Sequence, residues 1–172
     1  MKHFLVFVLS LALLGAGCGY TQKTVLPRDI KTIYVETVTN GIQIGQVYAY
    51  QPGVEIKITN AIVKRLNQDG NLKVVGSRDQ ADAILEAELS RYEQEGVRFN
   101  ALERVEEFRL FIVLNMRLID NKTHSPIWAE PNFSGDSEYY VSEIRSIGRE
   151  EAAEIAVDRL AKNVVDRIVE EW

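Results

Sequence analysis

Apolar and polar residues alternate along much of this chain, and changes in the period of that alternation lay out its elements. In "IKTIYVETV" (30–38), Ile33 and Val35 fall on one side, and Thr32, Tyr34 and Glu36 on the other. Strict alternation in a β-branched run predicts a strand with one buried face. From residue 54 the period lengthens. Val54, Ile58, Ala61, Ile62 and Leu66 share one stripe, while Lys57, Lys64 and Asn67 lie off it. That spacing predicts an amphipathic helix over 54–68, ended by "QDGN", whose glycine suits a left-handed cap. "LKVVG" (72–76) then reads as a short strand. Strands joined through a helix pair in parallel, with a right-handed crossover.

A meander follows. In 81–94, Ala83, Leu85, Ala87 and Leu89 alternate with Ile84, Glu86, Glu88 and Ser90. Over 106–121 the buried set is Leu110, Ile112, Leu114, Met116 and Leu118, against Arg109, Phe111, Val113, Asn115 and Arg117. A third strand spans 125–136 after the turn "DNKTHS", and Pro126 and Pro131 favour an edge position for it. The chain closes on a long helix within 142–172, with possible starts at Ser142 and just beyond Gly148. Its stripe is Ala153, Ala156, Val157, Leu160, Val164, Ile168 and Trp172. These elements predict an α+β fold, with two helices on one face of a four- to five-stranded mixed sheet in a two-layer sandwich.

Three connections carry more apolar or cationic residues than a plain turn requires. The loop 40–53 holds Ile42, Ile44, Tyr48 and Tyr50, which either fill a satellite core or press against a partner. The hairpin tip "YEQEGVRFNALERVEE" (92–107) holds Arg98, Phe99 and Arg104. "GDSEYYVSEIR" (135–145) adds Tyr139 and Tyr140. Recognition residues concentrate on such connections.

The N-terminus changes the picture most. Lys2 and His3 precede "FLVFVLSLALL" (4–14), an apolar run shorter than the roughly 20 residues of a membrane span. "GAG" (15–17) supplies the small residues of a cleavage site. Cys18, the single cysteine, follows directly. An unpaired thiol at that position reads as the acylated first residue of a bacterial lipoprotein. One departure is that Gly15 stands where a leucine is usual, with Leu14 one place further out. The organisation expected is a signal peptide over 1–17, a lipidated N-terminus and short tether over 18–29, and one domain over 30–172. Two or more acyl chains hold a protein to a membrane where a single chain does so only marginally.

Charge and composition narrow the chemistry. The net charge is −5, and loss of Lys2 with the leader makes the mature chain more acidic still. An acidic domain is a poor partner for nucleic acid, whose phosphates need clustered Lys and Arg. His124 sits alone in a polar turn, metal-ligand spacings and phosphate loops are missing, and the glutamates alternate along the wet sides of strands. The expectation is a protein that is not an enzyme, with no cofactor and no metal.

Six stretches taken in order resemble one known family: "CGY" (18–20), "LPRDIKTIYVETVTN" (26–40), "YQPGVEIKITNAIVKRLNQDGNLKVV" (50–75), "ADAILEAELSRYE" (81–93), "FRLFIVLNMRLIDNKTHSPIW" (108–128) and "FSGDSEYY" (133–140). Together they are similar to the LptE family of lipopolysaccharide-assembly lipoproteins, in its divergent branch. The resemblance implies a lipid anchor on the periplasmic face of the outer membrane. It also implies a role as plug and assembly partner of an LptD-like outer-membrane β-barrel, and binding of lipopolysaccharide. Basic residues near the hairpin tip are implicated with lipid phosphates in the family, and Arg98 and Arg104 occupy that hairpin here. Glu93, Glu95, Glu103, Glu106 and Glu107 surround them, so either divalent cations bridge or lipid binding is weak. The alternative reading is an envelope lipoprotein adaptor that activates a cell-wall synthase or forms part of a secretion pore. The tether of about ten residues, under roughly 35 Å extended, favours a membrane-adjacent partner.

Overall fold

The computed structural model describes residues 30–42, 50, 52–141 and 147–169. Three long strands dominate: β4 (Ala83–Phe99), β5 (Val105–Asp120) and β6 (Ser125–Tyr140) form an antiparallel meander. β1 (Thr32–Val35) runs parallel to β4 on one side and to β3 (Lys73–Val74) on the other. A two-residue strand, β2 (Thr39–Asn40), extends the parallel pairing further along β4. The sheet order is β3-β1-β4-β5-β6, with β2 on the β4 edge beyond β1. The mixed sheet therefore has six strands, one more than the pattern predicted, because β2 is too short to show a period. β6 lies at the edge, as its prolines predicted.

α1 (Val54–Asp69) and α2 (Arg149–Val169) cover one face. Val54, Ile58, Ile62 and Leu66 of α1 are buried, and Gly70 ends the helix in a left-handed conformation with φ 77°. α2 uses the second of its possible starts. Its buried residues include Ala152, Ala156, Leu160, Val164 and Ile168, and Ala153, which the pattern placed on the stripe, is partly buried and packs against the core. Leu85, Leu89, Leu110, Ile112, Leu114 and Leu118 meet these helices from the sheet. Trp172 lies outside the described residues.

The opposite face is polar but structured. Arg78 and Arg117 both converge on Glu86, and Arg78 also reaches Glu36 at 3.3 Å. Beneath this layer Ile84 and Val113 are buried. A shallow groove of about 670 Å³ runs beside it, lined by residues that include Thr39, Glu88, Asn115 and Pro131. At the foot of the sheet Asp82 ties β1 to β4. Its carboxylate accepts from the Lys31 and Thr32 amides, both at 3.1 Å, and from the Thr32 hydroxyl at 2.9 Å.

Candidate functional site

The end of the sheet remote from Asp82 is built by continuing β4 and β5 past the point where their hydrophobic alternation fades. The ladder runs to the pair Phe99–Val105, leaving 100–104 as the connection. The tip is therefore shorter than the 92–107 span read from the sequence, since most of that span is paired strand. Asn100 organises the turn: its Oδ1 accepts from the Leu102 amide at 2.9 Å and the Arg104 amide at 3.0 Å. Glu103 takes a left-handed φ of 56° to close it. β6 likewise continues to Tyr140, beyond the predicted limit at 136, because β5 offers it partners as far as Glu107.

Exposed apolar side chains gather at this end. Val97, Phe99 and Leu102 project from the hairpin, and Val141 and Ile147 flank the β6–α2 connection. Leu102 is 74 % exposed and Phe99 58 %. Among the described residues, Ile56 is the one large exposed apolar side chain elsewhere. Burying surface of this kind is worth roughly 25 cal/mol per Å², so its concentration at one pole favours contact with an apolar partner there.

The cationic residues sit on the same pole. Arg98 faces the polar side of the sheet, opposite Glu107 in register, which is itself opposite Tyr140. Its Nη2 lies 3.1 Å from Glu107 Oε2, and its guanidinium carbon lies over the Tyr140 ring, 5.7 Å from the centroid. Glu107 is buried, which corrects its reading as part of a solvated glutamate face. Burial of a carboxylate requires a partner, and Arg98 is that partner. Arg104 is exposed. One row further from the tip, Arg109 pairs with Glu138 and lies 3.7 Å from Asp136.

The remaining sequence candidates divide. Tyr139 is buried, stacked on Phe108 at 5.5 Å, and donates its hydroxyl to Gln94 at 2.8 Å. It serves the interior, because the inward-facing register of β6 carries it under the sheet end and not out to a partner. Ile42 and Tyr50 pack against the core, as the satellite-core alternative foresaw. Tyr50 also donates to Glu55 and meets Tyr92 edge-on at 6.4 Å. Cys18, Ile44 and Tyr48 lie outside the described residues. Phe99, Tyr140, Arg98 and Arg104 are the predicted residues that the fold brings together. The residues missed were Val97, Leu102, Val141 and Ile147, along with the role of Glu107. The apolar ones stood in a charged stretch that masked them, and Glu107 is recognisable only once the register is known.

Among the described residues, no group of three or more His, Cys, Asp or Glu side chains could hold a metal ion. No described helix is long and apolar enough to cross a membrane.

Solved structures share this architecture. The protein XCC0632 from Xanthomonas campestris aligns with a TM-score of 0.58 at 12 % identity, covering 81 % of this chain and 84 % of that one. Lipoprotein B from Nitrosomonas europaea aligns at 0.55 and 17 % identity, covering 86 % and 84 %. The hypothetical protein CT253 from Chlamydia trachomatis aligns at 0.55 and 13 % identity, covering 80 % and 95 %. At such identities the likeness concerns the fold. No curated protein matches the sequence. The family model LptE, "Lipopolysaccharide-assembly", matches residues 30–171, which takes in the whole sheet and both helices. The chain thus belongs to the LptE family of lipopolysaccharide assembly.

Proposed function

We propose that this chain is a non-catalytic outer-membrane lipoprotein, anchored through acyl chains on Cys18, that plugs and helps assemble an LptD-like β-barrel and engages lipopolysaccharide through the β4–β5 hairpin tip. Family membership supports the assembly role. The single observation that carries the tip assignment is the gathering of Phe99, Leu102 and Val97 beside Arg98 and Arg104 at one pole of the sheet. A lipid with acyl chains and phosphates needs both kinds of group within reach: apolar surface for the chains, and guanidinium donors for the phosphates.

The first described residues lie at the foot of the sheet, opposite the recognition end. β1 enters beside Ala83, and β4 then climbs to Phe99. At about 3.3 Å per residue that climb is roughly 50 Å. The polar face of the sheet, with its paired arginines and glutamates, suits the polar lumen of a membrane barrel. Among the described residues predicted to contact a partner, Phe99 is exposed and Tyr140 half-buried at this end of the sheet.

The test uses the full-length lipoprotein extracted in mild detergent. We expect it to co-purify with an LptD-like barrel and to retain lipopolysaccharide. The variant F99S/L102S/R104A should fold normally but lose most of the retained lipid. Undiminished retention would remove the tip from the site, and absence of the barrel from the extract would overturn the plug assignment.

A further inference from the structure

We infer that Glu107, together with Tyr140, is a positioning residue for anion recognition: it holds the Arg98 guanidinium in one orientation, so that the outward N–H groups present a fixed site for a lipid phosphate. This rests on the lipid-binding reading of the tip and specifies which groups make it selective.

Three strands supply one row across the polar face. Arg98 on β4, Glu107 on β5 and Tyr140 on β6 are successive cross-strand partners. The Glu107 side chain is 7 % exposed, whereas that of Arg98 is 56 % exposed. The carboxylate therefore lies beneath, and the guanidinium above it opens to solvent. Drawing Arg98 away from Glu107 would leave a buried carboxylate without its nearest guanidinium, which cancels about what one phosphate contact returns. The bound anion must use the donors that Glu107 leaves free, and a guanidinium has five. Tyr140 adds a cation–π attraction on the side away from β4, its ring centroid 5.7 Å from the guanidinium carbon, which favours the paired orientation. A lysine could pair with Glu107, but as a point charge without a planar fork it would not present further donors in a fixed plane.

The same arrangement sets selectivity. Arg98 and Glu107 together carry no net charge, so a free phosphate in water gains little from approaching the row. A phosphate attached to acyl chains gains in addition from Phe99, which leaves the strand next to Arg98 but on its other side, and from Leu102 at the turn. The ligand class is a phosphorylated amphiphile, not a soluble phosphate.

The experiment compares full-length wild type, E107Q, Y140L and R98K. The probes are phosphatidylcholine vesicles doped with diphosphoryl lipid A, vesicles doped with its dephosphorylated form, and inorganic phosphate. Wild type should prefer the diphosphoryl vesicles and bind inorganic phosphate negligibly. E107Q and R98K should weaken binding to diphosphoryl vesicles about three- to tenfold, the effect of leaving one long side chain unfixed. Binding to dephosphorylated vesicles should not change. Y140L, which leaves the Arg98–Glu107 pair intact, should shift in the same direction by less, and provides the test if E107Q fails to fold. E107D should recover part of the phosphate-dependent gain. Diphosphoryl binding by folded E107Q or Y140L that equals or exceeds wild type overturns the positioning role while leaving the tip reading in place. Wild type that does not distinguish the two lipids overturns the phosphate reading itself, and the positioning role with it.

Discussion

Gly135 of β6 and Leu160 of α2 touch backbone to backbone: a methyl group at position 135 would lie 2.6 Å from both the Leu160 nitrogen and its Cβ. It would also lie 2.7 Å from the Ala156 carbonyl oxygen. This approach brings the helix down onto the edge strand, where Arg159 donates to the Asp136 carbonyl and Asn163 to the Ser134 carbonyl. Those carbonyls point out of the sheet, so the helix also covers part of an otherwise open edge. Gly135→Ala should cost about 2–3 kcal/mol, because the obstacle is backbone and cannot rotate aside. Thermal unfolding should register it as a Tm lower by roughly 5–10 °C.

Asp82 makes stability depend on acid. Hydrogen bonds from the Lys31 amide, then from the Thr32 side chain, hold its carboxyl below the ordinary 3.8. A carboxylate depressed in the folded state contributes fully above its unfolded value and loses that contribution as pH falls through the folded value. Chemical denaturation of wild type should therefore weaken below about pH 4, the ordinary aspartate range. Asp82→Asn should be less stable at pH 7 by roughly 1–2 kcal/mol and should show a flatter acid limb. An equally steep limb in the variant would show that other carboxylates govern it.

The pairing of Arg98 with Glu107 predicts that single and double variants will not add. Arg98→Ala leaves a nearly buried carboxylate without its guanidinium, at a cost of about 2 kcal/mol. Removing the charge as well, in R98A/E107Q, should restore much of that loss. A double-mutant cycle in denaturant reads this coupling directly. Lipid-retention measurements on Arg98→Ala alone would confuse lost binding with lost stability.

Leu102 and Phe99 should behave in the opposite way. Both are mostly exposed, so substitution by serine should change stability by less than about 0.5 kcal/mol. Any loss of lipid retention in those variants then reports on binding alone.

Cys18→Ser tests the anchor. Removing the proposed acylation site should move the chain from the membrane fraction to the soluble fraction of the envelope. Intact mass of the wild type should exceed that of the cleaved polypeptide by the acyl groups. An unmodified thiol in wild-type material would overturn lipid anchoring.

Much of the architecture was legible because it is carried by near neighbours in the chain. The helix from Val54 declared itself through Ile58, Ile62 and Leu66, and the αL glycine that ends it was visible as Gly70. The meander was equally clear, since Leu110, Ile112, Leu114 and Met116 alternate without interruption. Boundaries at the tip were not legible. From Glu93 to Glu107 the side chains are mostly polar on both faces, so no period marks where pairing stops. Only the continuing ladder between β4 and β5 shows that it reaches Phe99.

The site followed the same division. Arg98 and Arg104 were found from the sequence as cations near a hairpin end, but whether either was free was not. Register shifts at Leu89/Arg91 and Gly96/Arg98 set Arg98 opposite Glu107. A slip of one residue would have turned it to the other face. The amino-acid order alone therefore determined the kinds of element and the face of each that is apolar, since those depend on residues a few positions apart, and the succession of such stretches along the chain carried the family. Tertiary structure decided which glutamate is buried, which tyrosine faces inward and which arginine is already paired, because each depends on strands that meet only after folding.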